Sequence, residues 1–137
     1  MISKKKILLV GGCGFIGHNL ALYLLKLGHE PVIVDSLSIN NIYSQDNTEV
    51  LNQKLYTSIL KNRVELLKKN NIDLIIHDAR NYHSISALYT QINPDIIIHL
   101  AAVSHANRSN KDPHTTFDHS LRTLENTLDF AKNKKTH

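Results

Sequence analysis

The apolar run KILLV at residues 6–10 breaks off into GGCGFIG at 11–17, and a second apolar run, PVIVD, begins at Pro31. No other stretch restricts the fold as much. A short, uninterrupted apolar run suits a strand covered on both faces. Gly11, Gly14 and Gly17 fall where that strand gives way to a helix. Phe15, Ile16, Leu20, Leu24 and Leu27 then recur at helical spacing, and Gly28 supplies a stop. Pro31 opens the next strand, where a missing N–H does least harm. Together these pieces make a βαβ unit.

The remainder repeats the alternation. SLSINNIYSQDNTE, 36–49, is polar and turn-rich, a loop. A long helix is predicted over Val50–Lys69, with Leu51, Leu55, Ile59, Val64 and Leu67 as its core stripe; part of that stripe could face a partner subunit. IDLIIHD (72–78) is a third strand, Ser84–Ile92 a short helix ended by Asn93 and Pro94, and DIIIHLAA (95–102) a fourth strand. SHANRSNKDPH is a loop, and Phe117, Leu121, Leu124, Leu128 and Ala131 form the apolar stripe of a last helix. There is no tight hairpin signal, internal repeat or linker. The pattern predicts an α/β fold, a Rossmann-type parallel sheet with helices on both faces, in one domain over 1–137.

Composition narrows the function. A chain of 137 residues can bury a real core, and 42% hydrophobic with 20% charged residues is globular rather than disordered. Its apolar runs are too short to cross a bilayer, and no secretory signal opens it, so no membrane partner is expected. Cys13, the one cysteine, allows no internal disulfide, and a reducing cytoplasm is the simplest setting. The net charge of +4 comes from lysines gathered at both ends and in LLKKNN. No aromatic residues interleave with them as a stacking platform needs, so nucleic acid is not the expected partner.

The glycines point to a dinucleotide. A helix N-terminus at a strand-to-helix turn carries unpaired N–H groups and partial positive charge, and a diphosphate can dock there if the backbone comes close. Gly11 permits the tight turn, Gly14 removes a Cβ that would collide with phosphates, and Gly17 lets the helix pack on the sheet. Strand two ends on Asp35, 18 residues after Gly17, where a carboxylate can accept both hydroxyls of a ribose. That charge would repel a 2′-phosphate and no arginine follows nearby, so NAD is favoured over NADP.

These residues resemble the extended short-chain dehydrogenase/reductase family, the NAD-dependent sugar epimerases and dehydratases. GGCGFIG is similar to the family's GxxGxxG fingerprint, which adds Phe15 and Ile16 to the cofactor residues, and VDSLS resembles the strand end that reads the ribose, which adds Ser36. HDAR (77–80) resembles an Asp-x-Arg segment, implying that Asp78 accepts from the adenine amino group with Ala79 behind it. HLAA (99–102) resembles the fourth-strand signature, implying that Leu100, Ala101 and Ala102 lie along the cofactor. HLAAVSHANRSNKDP looks most like the nucleotide-sugar 4,6-dehydratases, which carries over Ser104, His105, Arg108 and Ser109. By that resemblance Ser104 lies near the nicotinamide, and His105 and Arg108 near a nucleotide-sugar substrate. The last helix departs from the family: Ser120 stands where Asn is usual and Thr123 where Gly is, so the helix is expected without the family's hydrogen-bond network. Relatives often pair through helices that follow this point, which leaves room for a homodimer.

In the family, chemistry needs a Tyr-x-x-x-Lys pair. None of the five tyrosines, Tyr23, Tyr43, Tyr56, Tyr82 and Tyr89, has lysine four positions on. The resemblance therefore implies the N-terminal, cofactor-binding part of a nucleotide-sugar enzyme: the first four βα units, with a bare sheet edge, a sugar-binding lobe elsewhere and no turnover alone. The alternative is a stand-alone NAD-binding regulatory module without catalysis. The nine histidines show neither HxxxH nor HExxH spacing, so no metal site is expected. His99 reads as a hydrogen-bonded structural residue, and Cys13 as an inert small side chain.

Overall fold

The structure, a computed structural model, describes residues 3–38, 52–103 and 111–133. Four parallel strands form one sheet: β1 (Lys6–Val10), β2 (Glu30–Asp35), β3 (Asp73–Ile76) and β4 (Ile96–His99), in the order β3-β2-β1-β4. Helices α1 (Phe15–Lys26), α2 (Gln53–Lys69) and α3 (Tyr82–Ile92) connect them in turn. After β4 the chain forms α4 (Pro113–Phe117), a π turn (Asp118–Arg122) and α5 (Thr123–Asn133).

Alternation along β1 and β2 splits the core into two layers. Ile7, Leu9 and Ile33 pack with Ala21 of α1 and Leu67 of α2; Leu8, Val10, Val32 and Val34 pack with Ile85, Tyr89 and Ile92 of α3 and Phe130 of α5. The predicted Rossmann-type sheet with helices on both faces is therefore the fold observed. Its register sets Val10 opposite Val34 on one side and His99 on the other, and Asp35 opposite Ile76. All four strands thus finish along one edge, and strand order turns from β2-β1 to β1-β4 there, where ligands of open α/β sheets bind.

Several boundaries differ from the sequence expectation. The third strand covers 73–76 rather than 72–78, although His77 N–H still bonds the Asp35 carbonyl at 3.0 Å. β4 stops at His99 rather than Ala102, because β1 ends at Val10 and, after Leu100 N–H reaches the Val10 carbonyl, Gly11 turns away. α3 starts two residues early, since the Asn81 side chain caps it by accepting Ser84 N–H. The helical segment before Phe117 begins at Pro113, capped by Asp112, within the predicted loop. Residues 50 and 51 lie outside the described residues, as does most of the 36–49 loop.

Three apolar stripes were expected to pack inward and do not do so fully. Phe15 and Ile16 are exposed on α1, where His18 and Ala21 are buried instead. On α2, Leu55 and Ile59 are exposed while Leu60 and Leu67 are buried. The last helix is inverted most clearly: Phe117, Leu121 and Leu128 are 61%, 53% and 59% exposed, and Thr123, Asn126, Thr127 and Phe130 face the sheet. Burying polar groups is tolerable because each finds a hydrogen-bond partner. Asn126 donates to the carbonyls of Ala79 and Arg80, the Thr123 hydroxyl donates to the His119 carbonyl one turn back, and the Thr127 hydroxyl lies within hydrogen-bond distance of both the Thr123 carbonyl and His99 Nδ1.

Candidate functional site

The turn between β1 and α1 is built by close approach. Gly11 has φ +76°, a left-handed conformation disfavoured for other residues, and a Cβ there would sit 2.6 Å from the N and Cα of Ala101. Gly12, which the sequence reading passed over, has its own constraint: a Cβ would meet the Leu9 side chain at 2.8 Å. A Cβ on Gly17 would land on the Gly12 backbone, so Gly17 packs the helix against the turn itself rather than against the sheet. Gly14 is different. A Cβ there would meet only the Gly11 carbonyl, at 3.7 Å, so no protein atom requires glycine at this position.

Gly14 is also the N-cap of α1 and offers no side-chain cap. The first-turn N–H groups of a helix have no intrahelical partner and carry its positive end. No acidic side chain occupies that turn. The His18 ring packs below, its Nδ1 2.9 Å from the Gly14 carbonyl. An uncapped helix start beneath an open approach fits an anion.

Asp35 closes the other side of the turn. One oxygen accepts Cys13 N–H at 2.9 Å and the other accepts Leu37 N–H at 2.8 Å. Ser36 follows with an exposed hydroxyl 2.8 Å from that of Ser38. Cys13 is buried, and burial with the nearby Asp35 charge pushes its thiol up to about 11. A buried, raised thiol fits the inert side chain expected from the sequence. A cation does reach this region: the Arg63 guanidinium of α2 lies 5.9 Å from the centre of the exposed Phe15 ring. Nothing near Asp35 in sequence announced it, because α2 brings it in from elsewhere.

At the end of β3, Asp78 and Ala79 sit in the loop leading to α3. Arg80 holds both oxygens of Asp78, Nη2 to Oδ2 at 2.6 Å, and extends to Asp118 at 2.9 Å and His119 at 3.1 Å. The hydrogen bond from Arg80 keeps Asp78 below its ordinary carboxylate value. Asn126, missed in the sequence as one polar residue in a leucine-rich helix, clamps this loop from behind.

Leu100, Ala101 and Ala102 continue from β4 across the turn, with Ala101 against Gly11. Ser120, at the position where the family usually has asparagine, accepts Val103 N–H at 3.1 Å. Thr123 donates to the His119 carbonyl across the π turn. His99 is hydrogen-bonded through both ring nitrogens, as the sequence reading expected. The structure therefore gathers Gly11, Gly14, Phe15, Ile16, Gly17, Asp35, Ser36, Asp78, Ala79 and Leu100–Ala102 at one sheet edge. Ser104, His105, Arg108 and Ser109 lie outside the described residues.

A parallel sheet, a glycine turn under a bare helix start and an acid at the next strand tip define a Rossmann-type domain. Comparison with known proteins narrows that class. The chain belongs to the nucleotide-sugar epimerase and dehydratase group, the family model for GDP-mannose 4,6 dehydratase matching residues 8–137. It is 30% identical to Protein CapI of Staphylococcus aureus over 127 residues, 93% of this chain and 34% of that protein. It is 29% identical to a UDP-glucose 4-epimerase of Cyamopsis tetragonoloba over 121 residues, 88% of this chain and 31% of that one. The chain thus spans about a third of the length of the curated relatives it matches. Its fold superposes on the UDP-glucose-4-epimerase of Stenotrophomonas maltophila, a structure with bound NAD and formylated UDP-arabinopyranose, with a TM-score of 0.73. That match is 23% identical and covers 97% of this chain and 35% of the other.

Proposed function

We propose that residues 1–137 form the NAD-binding portion of a nucleotide-sugar epimerase or dehydratase. The open approach to Gly14, above the uncapped start of α1, carries the reading. The turn's N–H groups would hold the diphosphate, with Phe15, Ile16 and Gly17 beside it. Asp35 and Ser36 would hold the adenosine ribose, and Asp78 and Ala79 the adenine. Leu100, Ala101, Ala102 and Ser104 would line the nicotinamide half, and His105 and Arg108 would face the sugar nucleotide. Asp78 enters this role already bonded to Arg80, so an adenine amino group would add to that pair rather than meet a free carboxylate.

Bound NAD would supply the hydride acceptor for oxidation of the sugar at C4, which precedes either loss of water across C5 and C6 or return of hydride to the opposite face. The protein's share within these residues is binding and orientation. A proton-abstracting Tyr-x-x-x-Lys pair is not among them, so the chain by itself should not turn over sugar. The relatives' names, which include UDP-glucose and CDP-paratose epimerases, support a nucleotide-sugar substrate for the whole enzyme. The single buried cysteine supports a reducing, cytoplasmic setting. Among the described residues no helix is long and apolar enough to cross a membrane. The exposed side chains of Leu121 in the π turn and Leu128 on α5 support a homodimer.

The test is isothermal calorimetry with NAD and NADP on the wild-type chain and Gly14→Val. NAD should bind the wild type, NADP more weakly, and the variant neither. A wild-type chain that ignores NAD, or a Gly14→Val variant that binds it equally, overturns the site.

A further inference from the structure

Beyond Leu100 the main chain leaves the ladder. β1 has ended, and on the far side of β4 no strand pairs among the described residues. Yet Ala101 must stay where it is, since its N and Cα set how closely Gly11 approaches and hence the shape of the crevice floor. Something other than sheet pairing has to fix it. His99 reaches over the strand end, with Nε2 3.0 Å from the Ala101 carbonyl and Nδ1 3.1 Å from Thr127 Oγ1. Behind Thr127 stands Tyr89, its hydroxyl 3.2 Å from the same Oγ1. Tyr89 and Thr127 are buried, the tyrosine completely.

The proton positions follow from what each atom can do. A carbonyl only accepts, so Nε2 must carry the ring proton facing Ala101. In a neutral ring Nδ1 is then a bare acceptor, and Thr127 donates to it. The Thr127 hydroxyl is also 2.9 Å from the Thr123 carbonyl, and that carbonyl keeps the helical Thr127 N–H when the one hydroxyl proton turns to Nδ1. Tyr89 in turn donates to Thr127. A directed chain runs from α3 through α5 and β4 to the crevice: Tyr89, Thr127, His99, Ala101. Burial disfavours a second ring proton and the bond to the Ala101 carbonyl offsets that in part, the balance lying below the ordinary imidazole value.

We infer that His99 is a positioning residue, whose Nε2–H ties the Ala101 carbonyl to the strand end and keeps that backbone seated against Gly11 for the cofactor. The inference rests on the dinucleotide reading and adds to it a residue outside the glycine turn and the strand-two acid. His99 touches no reacting atom. It acts through Ala101.

Imidazole nitrogen–proton NMR spectra and NAD calorimetry on the whole chain test it, with circular dichroism as a check of folding. The spectrum should place the proton of the His99 ring on Nε2. His99→Phe should stay folded and bind NAD about tenfold more weakly, as loss of one ordering hydrogen bond implies. His99→Gln, whose amide N–H can reach the same carbonyl, should recover most of that affinity. Thr127→Val serves if the phenylalanine variant does not fold: with its donor gone, Nδ1 should gain proton population and NAD affinity should fall.

A proton on Nδ1 in the wild type overturns the inference, as does wild-type NAD affinity in a folded His99→Phe variant. So does a Thr127→Val spectrum identical to that of the wild type. The two readings separate cleanly. A chain that binds no NAD while its spectrum shows Nε2–H sinks the dinucleotide reading and leaves the tie to Ala101 standing. A chain that binds NAD with the proton on Nδ1 sinks the tie alone.

Discussion

The carboxylate of Asp35 accepts the main-chain N–H of Cys13 at 2.9 Å, so the tip of β2 and the turn after β1 are one hydrogen-bonded unit. Its second oxygen supports Leu37, whose backbone is left-handed at φ 56° although its side chain is branched and buried. The acid that would grip a ribose therefore also braces the turn that would receive the diphosphate. Asp35→Ala should cost about 1–3 kcal/mol of stability with no ligand present, because two partly buried N–H groups lose their acceptor. It should also abolish stabilisation by NAD. Urea unfolding followed by circular dichroism measures the first effect, and a thermal shift with NAD the second. A variant as stable as the wild type would mean that the two N–H contacts carry no weight.

Gly14 and Gly17 should separate ligand from fold. Gly14 has φ −69° and open space ahead of it, so valine fits the backbone and costs only the modest preference for glycine at an N-cap, about 1 kcal/mol. Gly17→Ala drives a Cβ into the Gly12 backbone, and overpacking of that kind costs about 1–3 kcal/mol or more. Thermal denaturation with and without NAD should show Gly14→Val melting near the wild type but blind to NAD. Gly17→Ala should melt well below both. Equal melting of the two variants would contradict the contacts described for them.

Much of this was legible in the sequence, and what was missed has identifiable causes. Strands announced themselves because β1 and β2 are buried on both faces and read as continuous apolar runs. The glycine turn followed from where those runs stop. Which leucines lie inside could not be read in the same way. Spacing alone marks Leu121, Leu124 and Leu128 as one helix face, but not whether that face meets the sheet. The opposite face carries Thr123, Asn126 and Thr127, and its burial depends on partners far away in sequence, Ala79 and His99 among them. Arg63 was invisible for the same reason, since tertiary packing of α2 brings it to Phe15.

Cys13 lies in the turn but should be nearly unreactive. Burial and the Asp35 charge push its thiol up to about 11, so very little thiolate exists at neutral pH. Iodoacetamide should label the folded chain far more slowly than the chain in strong urea, with mass spectrometry counting the adduct. Rapid labelling under native conditions would contradict the packing assigned to the turn.

Acid should loosen the link between the β3 loop and the last helical segment. Asp78 is held below its ordinary value of 3.8 first by its hydrogen bonds from Arg80, and Asp118 is lowered by Arg122 and then by Arg80. A carboxyl depressed in the folded state contributes stability above its unfolded pKa and loses it as pH falls through the folded one. The wild type should therefore weaken as pH drops below about 4, and Arg80→Met, less stable near neutrality, should weaken less over the same window. Both carboxylates reach solvent, so the effect is modest. Urea midpoints at the two ends of the window measure it, and parallel falls in both proteins would rule out the link.

The exposed face of the last helix gives the final prediction. Phe117, Leu121, Leu124, Leu128 and Ala131 alternate at spacings of four and three, the repeat by which two helices pack along a seam. Leu121 and Leu128 stand half exposed or more, and Glu125 and Lys132 flank the seam with opposite charges. Leaving such a stripe in water is unfavourable, and covering it with a second copy would remove apolar area at about 25 cal/mol per Å². Sedimentation velocity over a range of concentrations should show the wild-type chain associating. Leu121→Lys with Leu128→Lys should remain monomeric, and because both sites are exposed the double variant should unfold within about 1 kcal/mol of the wild type. A wild type that stays monomeric throughout the range, or a double variant that still associates, would show that this face is not where two copies meet.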